Sequence, residues 1–140
     1  MKVEKVDRIL IAVRHLEAAL KLFSGLFELK FDEIKVDDGQ KVKYTRSPLG
    51  FELIQSTSPD GPVDRFIERK EEGLYAVILK VPDINSAVRE MEEKGLRLAA
   101  KPQTGGLKEA YFHPKDSYGV MIVLCEYQSK HGATIPESQS

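Results

Sequence analysis

Three charged side chains, Arg8, Glu52 and Lys80, stand inside otherwise apolar, strand-like runs, and the first two are of types that could do chemistry. Arg8 opens the run Arg8-Ile9-Leu10-Ile11-Ala12-Val13, and Glu52 interrupts Phe51-Glu52-Leu53-Ile54. A guanidinium can stabilise a developing oxyanion, and a carboxylate can accept or return a proton. Metal-binding side chains are scarce, with 3 histidines and 1 cysteine. His15, His113 and His131 fall in separate segments without paired ligand spacing, which gives a histidine-built metal site little weight. Cys125 has no partner for an internal disulfide, which suits a reducing compartment, and reads as a quiet buried thiol.

The bulk properties bound the function. The chain of 140 residues is 41% hydrophobic, with 21 basic against 22 acidic residues. That balance leaves no basic footprint for nucleic acid, although a local basic pocket for a phosphorylated ligand stays open. No apolar run approaches the length of a membrane span. The N-terminus lacks a basic segment followed by an apolar stretch and a small-residue cleavage site, so no signal peptide is expected. The expected location is cytoplasmic.

The residues must be positioned by elements, and the elements come twice. Arg8 to Val13 is followed by Leu16, Ala19, Leu20 and Phe23; Ala76 to Val81 is followed by Ile84, Ala87, Val88 and Met91. In each copy a short buried strand gives way to apolar positions on one helix face. Asp83 suits an N-cap and Gly95 a helix stop. Three strand-like segments then follow each helix: Leu29 to Val36, Lys41 to Ser47 and Gly50 to Ser56 in the first half. In the second half they are Arg97 to Ala100, Lys108 to Phe112 and Gly119 to Tyr127. The fold class is therefore α+β, two tandem βαβββ modules forming a curved, cup-shaped surface of eight strands. Residues 1–127 form a single domain, with module one over about 5–56, a linker over 57–73 and module two over 74–127. Pro62 can open a short helix in the linker, the Glu68 to Glu72 stretch reads as solvated surface, and 128–140 reads as a polar tail.

Alternation sorts the strand side chains into two faces. Ile9, Ile11, Val13, Phe51 and Leu53 point to the first helix; Val77, Leu79, Val81, Ile122 and Leu124 point to the second. The opposite face becomes a pocket lined by Arg8, Leu10, Glu52, Ile54, Ala76, Ile78, Met121 and Val123, with Ala12 and Cys125 beside them. A concave, mostly apolar surface with few polar groups suits a small-molecule ligand. Lys80, near a strand end, reads as reaching solvent.

These residues carry a family resemblance. The opening strand and helix over residues 7–27, the segment Glu52-Leu53-Ile54-Gln55, the loop Ser58-Pro59-Asp60-Gly61-Pro62 and Phe66-Ile67 resemble methylmalonyl-CoA epimerases. Gly73-Leu74-Tyr75-Ala76, Val81-Pro82-Asp83-Ile84, Phe112-His113-Pro114-Lys115-Asp116 and Gly119-Val120-Met121-Ile122-Val123-Leu124 continue the likeness. The chain thus resembles the vicinal-oxygen-chelate, or glyoxalase/bleomycin resistance, superfamily from residue 5 to 127. That resemblance implies a divalent metal held by four ligands from the first and fourth strands of each module. The metal would act as a Lewis acid on a chelated enolate while carboxylates move the proton.

At the positions so implied stand Arg8, Glu52, Ala76 and Val123. Glu52 is the only retained ligand position, and one carboxylate does not build a metal site. The second family base would fall near Val42 or Lys43, where no carboxylate stands. The expectation is an epimerase-like protein without cofactor, binding a small organic anion or acyl-CoA-like ligand. A divalent metal is a minor alternative, and resemblance to a dimeric family implies a homodimer. The alternative activity is an isomerase or lyase with Arg8 as electrophile and Glu52 as base. Arg8 and Glu52 are expected to pair, since neither has another obvious partner. His113 reads as a loop histidine, with ligand contact the alternative; Lys115 could meet a phosphate or stay solvated. His15 reads as a surface residue, and Tyr75 as packed under a helix.

Overall fold

The computed structural model describes residues 1–128, so the sequence tail from residue 129 and His131 lie outside the described residues. The chain divides into two compact units, one of Met1–Arg8 with Ala76 onward and the other of Ile9–Tyr75.

The unit Ile9–Tyr75 holds the later part of β1 (Lys5–Ala12), α1 (Leu16–Phe27), β2 (Lys35–Asp37), β3 (Val42–Arg46), β4 (Phe51–Ser56) and α2 (Pro62–Lys70). Its strands run in the order β2-β3-β4-β1. β1 and β4 are parallel, with Leu10 opposite Glu52 and Ala12 opposite Ile54. Parallel neighbours need a long crossover between them, and α1 with the hairpins that follow supplies it. Val13, Leu16 and Leu53 form the buried core beneath α1, with Ile11, Ala19, Leu20 and Phe23 packed against them. The helix face read from the 3.6-residue spacing is the face that is buried. Pro62 does open α2, whose Phe66 ring meets Tyr75 edge-on at 4.9 Å. Burial raises the Tyr75 phenol above its usual range.

The other unit holds the start of β1, β5 (Gly73–Lys80) from Ala76, α3 (Ile84–Glu93), β6 (Leu98–Ala100), β7 (Gln103–Thr104), β8 (Leu107–Phe112) and β9 (Ile122–Glu126). Its order β5-β9-β8-β6 is the order of the first unit repeated, with β7 added beside β8. β5 and β9 are parallel, and Ile78 stands opposite Val123 as Leu10 does opposite Glu52. Val81, Ile84, Ala87, Val88, Ala110, Phe112 and Leu124 form the core under α3. The Asp83 carboxylate accepts from the Ser86 amide at 3.1 Å as the N-cap, and Gly95 ends the helix at φ +91.

The repeat extends to how each helix begins. The Leu16 amide donates to Gln55 Oε1 at 2.7 Å, and the Ile84 amide donates to Glu126 Oε1 at 2.9 Å. Both acceptors lie at or next to the end of their module's last strand, so one orphan amide of each helix is answered by that strand.

One strand expectation is corrected. Leu29 to Val36 is not one strand, because only Lys35–Asp37 pairs. α1 ends with Glu28 in the left-handed region at φ 53, and Asp32 then fastens the following loop to β3. The Asp32 carboxylate accepts from Thr45 Oγ1 at 3.0 Å and from the Arg46 amide at 2.8 Å, replacing a strand ladder with side-chain bonds. Among the described residues the eight expected strands are present, and Gln103–Thr104 adds a short ninth by turning back on Leu107–Lys108.

Replacing Asp83 with alanine is expected to lower stability by about 1 kcal/mol through loss of the cap, read as a shifted urea midpoint at unchanged slope.

Candidate functional site

In each unit the sheet face turned away from its helix carries a buried arginine. In the unit containing Ala76 onward this is Arg8, 2% exposed. Its Nε donates to Asp7 Oδ2 at 3.0 Å, and its Nη2 donates to Glu109 Oε2 at 2.9 Å. Glu109 stands on β8 opposite Cys125 on β9, so it shares the helix-free face with Cys125. The Tyr127 hydroxyl closes the network by donating to Asp7 Oδ1. Burial, followed by that hydrogen bond, raises the Tyr127 phenol far above its ordinary range.

Cys125 lies in this network fully buried. Burial pushes its thiol up to about 12; the Arg8 guanidinium pulls the other way, and Asp7 and Glu109 add to the rise. It is therefore a protonated, inert thiol at neutral pH, as read from the sequence. Lys80 departs from its expectation. Its ammonium is 3.4 Å from Glu4 and sits 4.3 Å over the Tyr127 ring, with the side chain 18% exposed, rather than reaching freely to solvent.

In the unit Ile9–Tyr75 the buried arginine is Arg46. Its Nε donates to Glu52 Oε1 at 2.9 Å, and its guanidinium lies 4.8 Å over the Tyr44 ring. Register explains the grouping. Arg46 is opposite Glu52 and Tyr44 opposite Ile54, all on the face away from α1, while Thr45 and Leu53 alternate onto the helix side.

The pocket residues expected from the sequence are distributed between the units. Leu10, Glu52 and Ile54 share the helix-free face of one. Ala76, Ile78 and Val123 belong to the other, where Ile78 and Val123 pair directly, and the Met121 carbonyl accepts from the Val77 amide at 3.0 Å. The premise that Arg8 and Glu52 lack other partners is corrected: Asp7 and Glu109 hold Arg8, and Arg46 holds Glu52. Asp7, Tyr44, Arg46, Glu109 and Tyr127 join these networks without being among the site residues that the sequence suggests. The hairpin turn at Ser47-Pro48-Leu49-Gly50 could have placed Arg46 across from Glu52. Glu109 had no such signal, because it is 101 residues from Arg8.

The donor set does not fit the divalent metal that the resemblance implies. Ala76 and Val123 offer no donor atom, Arg8 is itself a donor to two carboxylates, and Glu52 holds a guanidinium. Among the described residues no three His, Cys, Asp or Glu side chains gather as a metal-holding group. Among the outlying candidates, His15 precedes α1 exposed and without a side-chain cap bond. His113 is exposed and its backbone amide donates to the Arg97 carbonyl at 2.9 Å, while Lys115 is exposed. The Glu68 to Glu72 stretch is exposed, with Glu71 and Glu72 near Arg14.

Two βαβββ modules with parallel first and fourth strands define a glyoxalase-type protein. The family model described as the Glyoxalase/Bleomycin resistance protein/Dioxygenase superfamily matches residues 5–124, and the chain belongs to that superfamily. It is similar to the uncharacterized protein YqjC of Bacillus subtilis, 27% identical over 128 residues covering 87% of this chain and 91% of that one. It is also similar to human mitochondrial methylmalonyl-CoA epimerase, 27% identical over 127 residues covering 86% and 72%. A solved Streptomyces coelicolor methylmalonyl-CoA epimerase variant in complex with 2-nitronate-propionyl-CoA shares the fold at a TM-score of 0.83. Its identity is 21%, with 91% of this chain and 97% of that chain covered. The chain is thus an epimerase-like member of the superfamily. No helix among the described residues is long and apolar enough to cross a membrane.

Tyr127→Phe is expected to cost about 1.5–3 kcal/mol, because it removes a buried hydrogen bond to a carboxylate. Calorimetric unfolding measures it. Cys125 is expected to resist a thiol-specific disulfide reagent at pH 8 in the native protein and to react at once in urea.

Proposed function

We propose that this protein binds a small organic anion of the acyl-CoA type without a divalent metal. The carrying observation is the state of Arg8. It occupies the position that, by resemblance, belongs to a metal-binding histidine, and it is buried and held by Asp7 and Glu109. A buried guanidinium so held puts a donor-only group where the resemblance places a ligand, and it offers no lone pair to a divalent cation. The acyl-CoA ligand of an epimerase relative supports the ligand class. So do the apolar walls of the second module at Ala76, Ile78 and Val123, each at most 1% exposed.

Glu52 serves as the counter-ion of Arg46 in this reading, since a proton could reach its bonded oxygen only by breaking the pair. Catalysis by Arg8 and Glu52 therefore ranks behind binding. The protein acts in the cytoplasm as a homodimer. Leu22, Leu26 and Phe27 leave α1 with apolar side chains more than half exposed, which favours association.

Isothermal titration with methylmalonyl-CoA is expected to give the same affinity with and without a chelator. Elemental analysis is expected to find no stoichiometric metal. An ion held at one per chain, or binding abolished by chelation, overturns the metal-free reading. Monomer mass in light scattering at micromolar concentration overturns the dimer.

A further inference from the structure

Tyr118 is the one fully exposed aromatic side chain among the described residues, at 103% of its reference surface, and its backbone is left-handed at φ 60. A bulky residue in that region is strained, and such strain persists only where the surroundings impose it. The ring gains no packing in return. Gly119 follows at φ 83, so two successive residues turn left-handed.

The surrounding loop is built to hold this shape. After β8, a short 3-10 helix spans Pro114–Asp116. The Asp116 carboxylate accepts from the Arg97 amide at 3.1 Å, from Arg97 Nε at 2.9 Å and from Arg97 Nη2 at 3.2 Å. The Gly119 amide donates to the Pro114 carbonyl at 2.8 Å, and Ser117 Oγ donates to the Val120 carbonyl at 2.7 Å. Tyr118 is thereby presented on a fixed platform. With Asp116 answered by Arg97, the exposed Lys115 leaves the loop with a positive charge. The loop joins the end of β8 to the start of β9, directly beyond the pairing of Tyr111 with Val123. It therefore borders the strand end that carries the apolar wall at Val123.

We propose that this loop recognises the nucleotide end of the ligand, with Tyr118 stacking on the base and Lys115 meeting a phosphate. This rests on the acyl-CoA reading above and extends it from the acyl end to the nucleotide. A planar ring held in water on the same loop as a primary ammonium is the chemistry that bases and phosphates select. The backbone strain is then retained for presentation of the ring rather than for folding.

The test compares propionyl-CoA with S-propionyl-pantetheine, which carries the same acyl thioester without the nucleotide, by isothermal titration. Wild type is expected to prefer propionyl-CoA. Tyr118→Gly is expected to weaken propionyl-CoA binding about tenfold and leave the pantetheine thioester unchanged. Its melting temperature is expected to rise by about 2–4 °C, because glycine accepts the left-handed backbone. Lys115→Ala is expected to reduce the salt dependence of propionyl-CoA binding. Tyr118→Gly binding propionyl-CoA as wild type does overturns the proposal, as does a wild type that binds both probes equally; in the latter case the acyl-binding reading stands. A wild type that binds neither probe overturns the acyl-CoA reading and the inference together.

Discussion

A buried guanidinium is the constraint around which the unit containing Arg8 is arranged. Arg8 keeps 2% of its surface in contact with solvent, and removing such a charge from water costs several kcal/mol unless it is paired and hydrogen-bonded. Asp7 answers Nε and Glu109 answers Nη2, while Tyr127 holds the far oxygen of Asp7. These partners come from β1, β8 and the residue after β9. The first eight residues therefore belong with the second module in one compact unit. Loss of one carboxylate would leave the charge of Arg8 less fully answered in a place where water cannot compensate.

The two modules repeat their backbone far more faithfully than their chemistry. Registers equate Tyr44 with Glu109, Arg46 with Tyr111 and Glu52 with Val123. Helix-facing positions stay apolar in both copies because they form the cores under α1 and α3. The opposite faces have no such common obligation. One carries a tyrosine-stacked Arg46–Glu52 pair, and the other a guanidinium shared between two carboxylates. Membership of the superfamily therefore fixes the scaffold and leaves the chemistry to be argued from the side chains.

Much of the scaffold was legible in the sequence because its signals are local. Period-two alternation and 3.6-residue spacing identified the helix-facing sets around Ile11, Val13, Leu53, Leu79, Val81 and Leu124. Turn and cap chemistry identified Asp83, Gly95 and the Pro62 helix start. The local signal misled at Leu29 to Val36, where β-rich composition lost to the side-chain bonds of Asp32. It missed Gln103–Thr104, a two-residue strand too short to show a period.

The sequence by itself determined the α+β repeat and the buried helix-facing sets. The tertiary structure alone decided who answers the charges. Asp7 is adjacent to Arg8, but Glu109 is 101 residues away and Tyr127 is 120 residues from Asp7. It also decided that Tyr118 stands strained and fully exposed, a property of the Arg97–Asp116 clasp and its loop. Alternation says which face a side chain takes, since that depends only on the backbone beside it. Which opposite charge waits on that face depends on how distant strands are brought into register, and no local period encodes that.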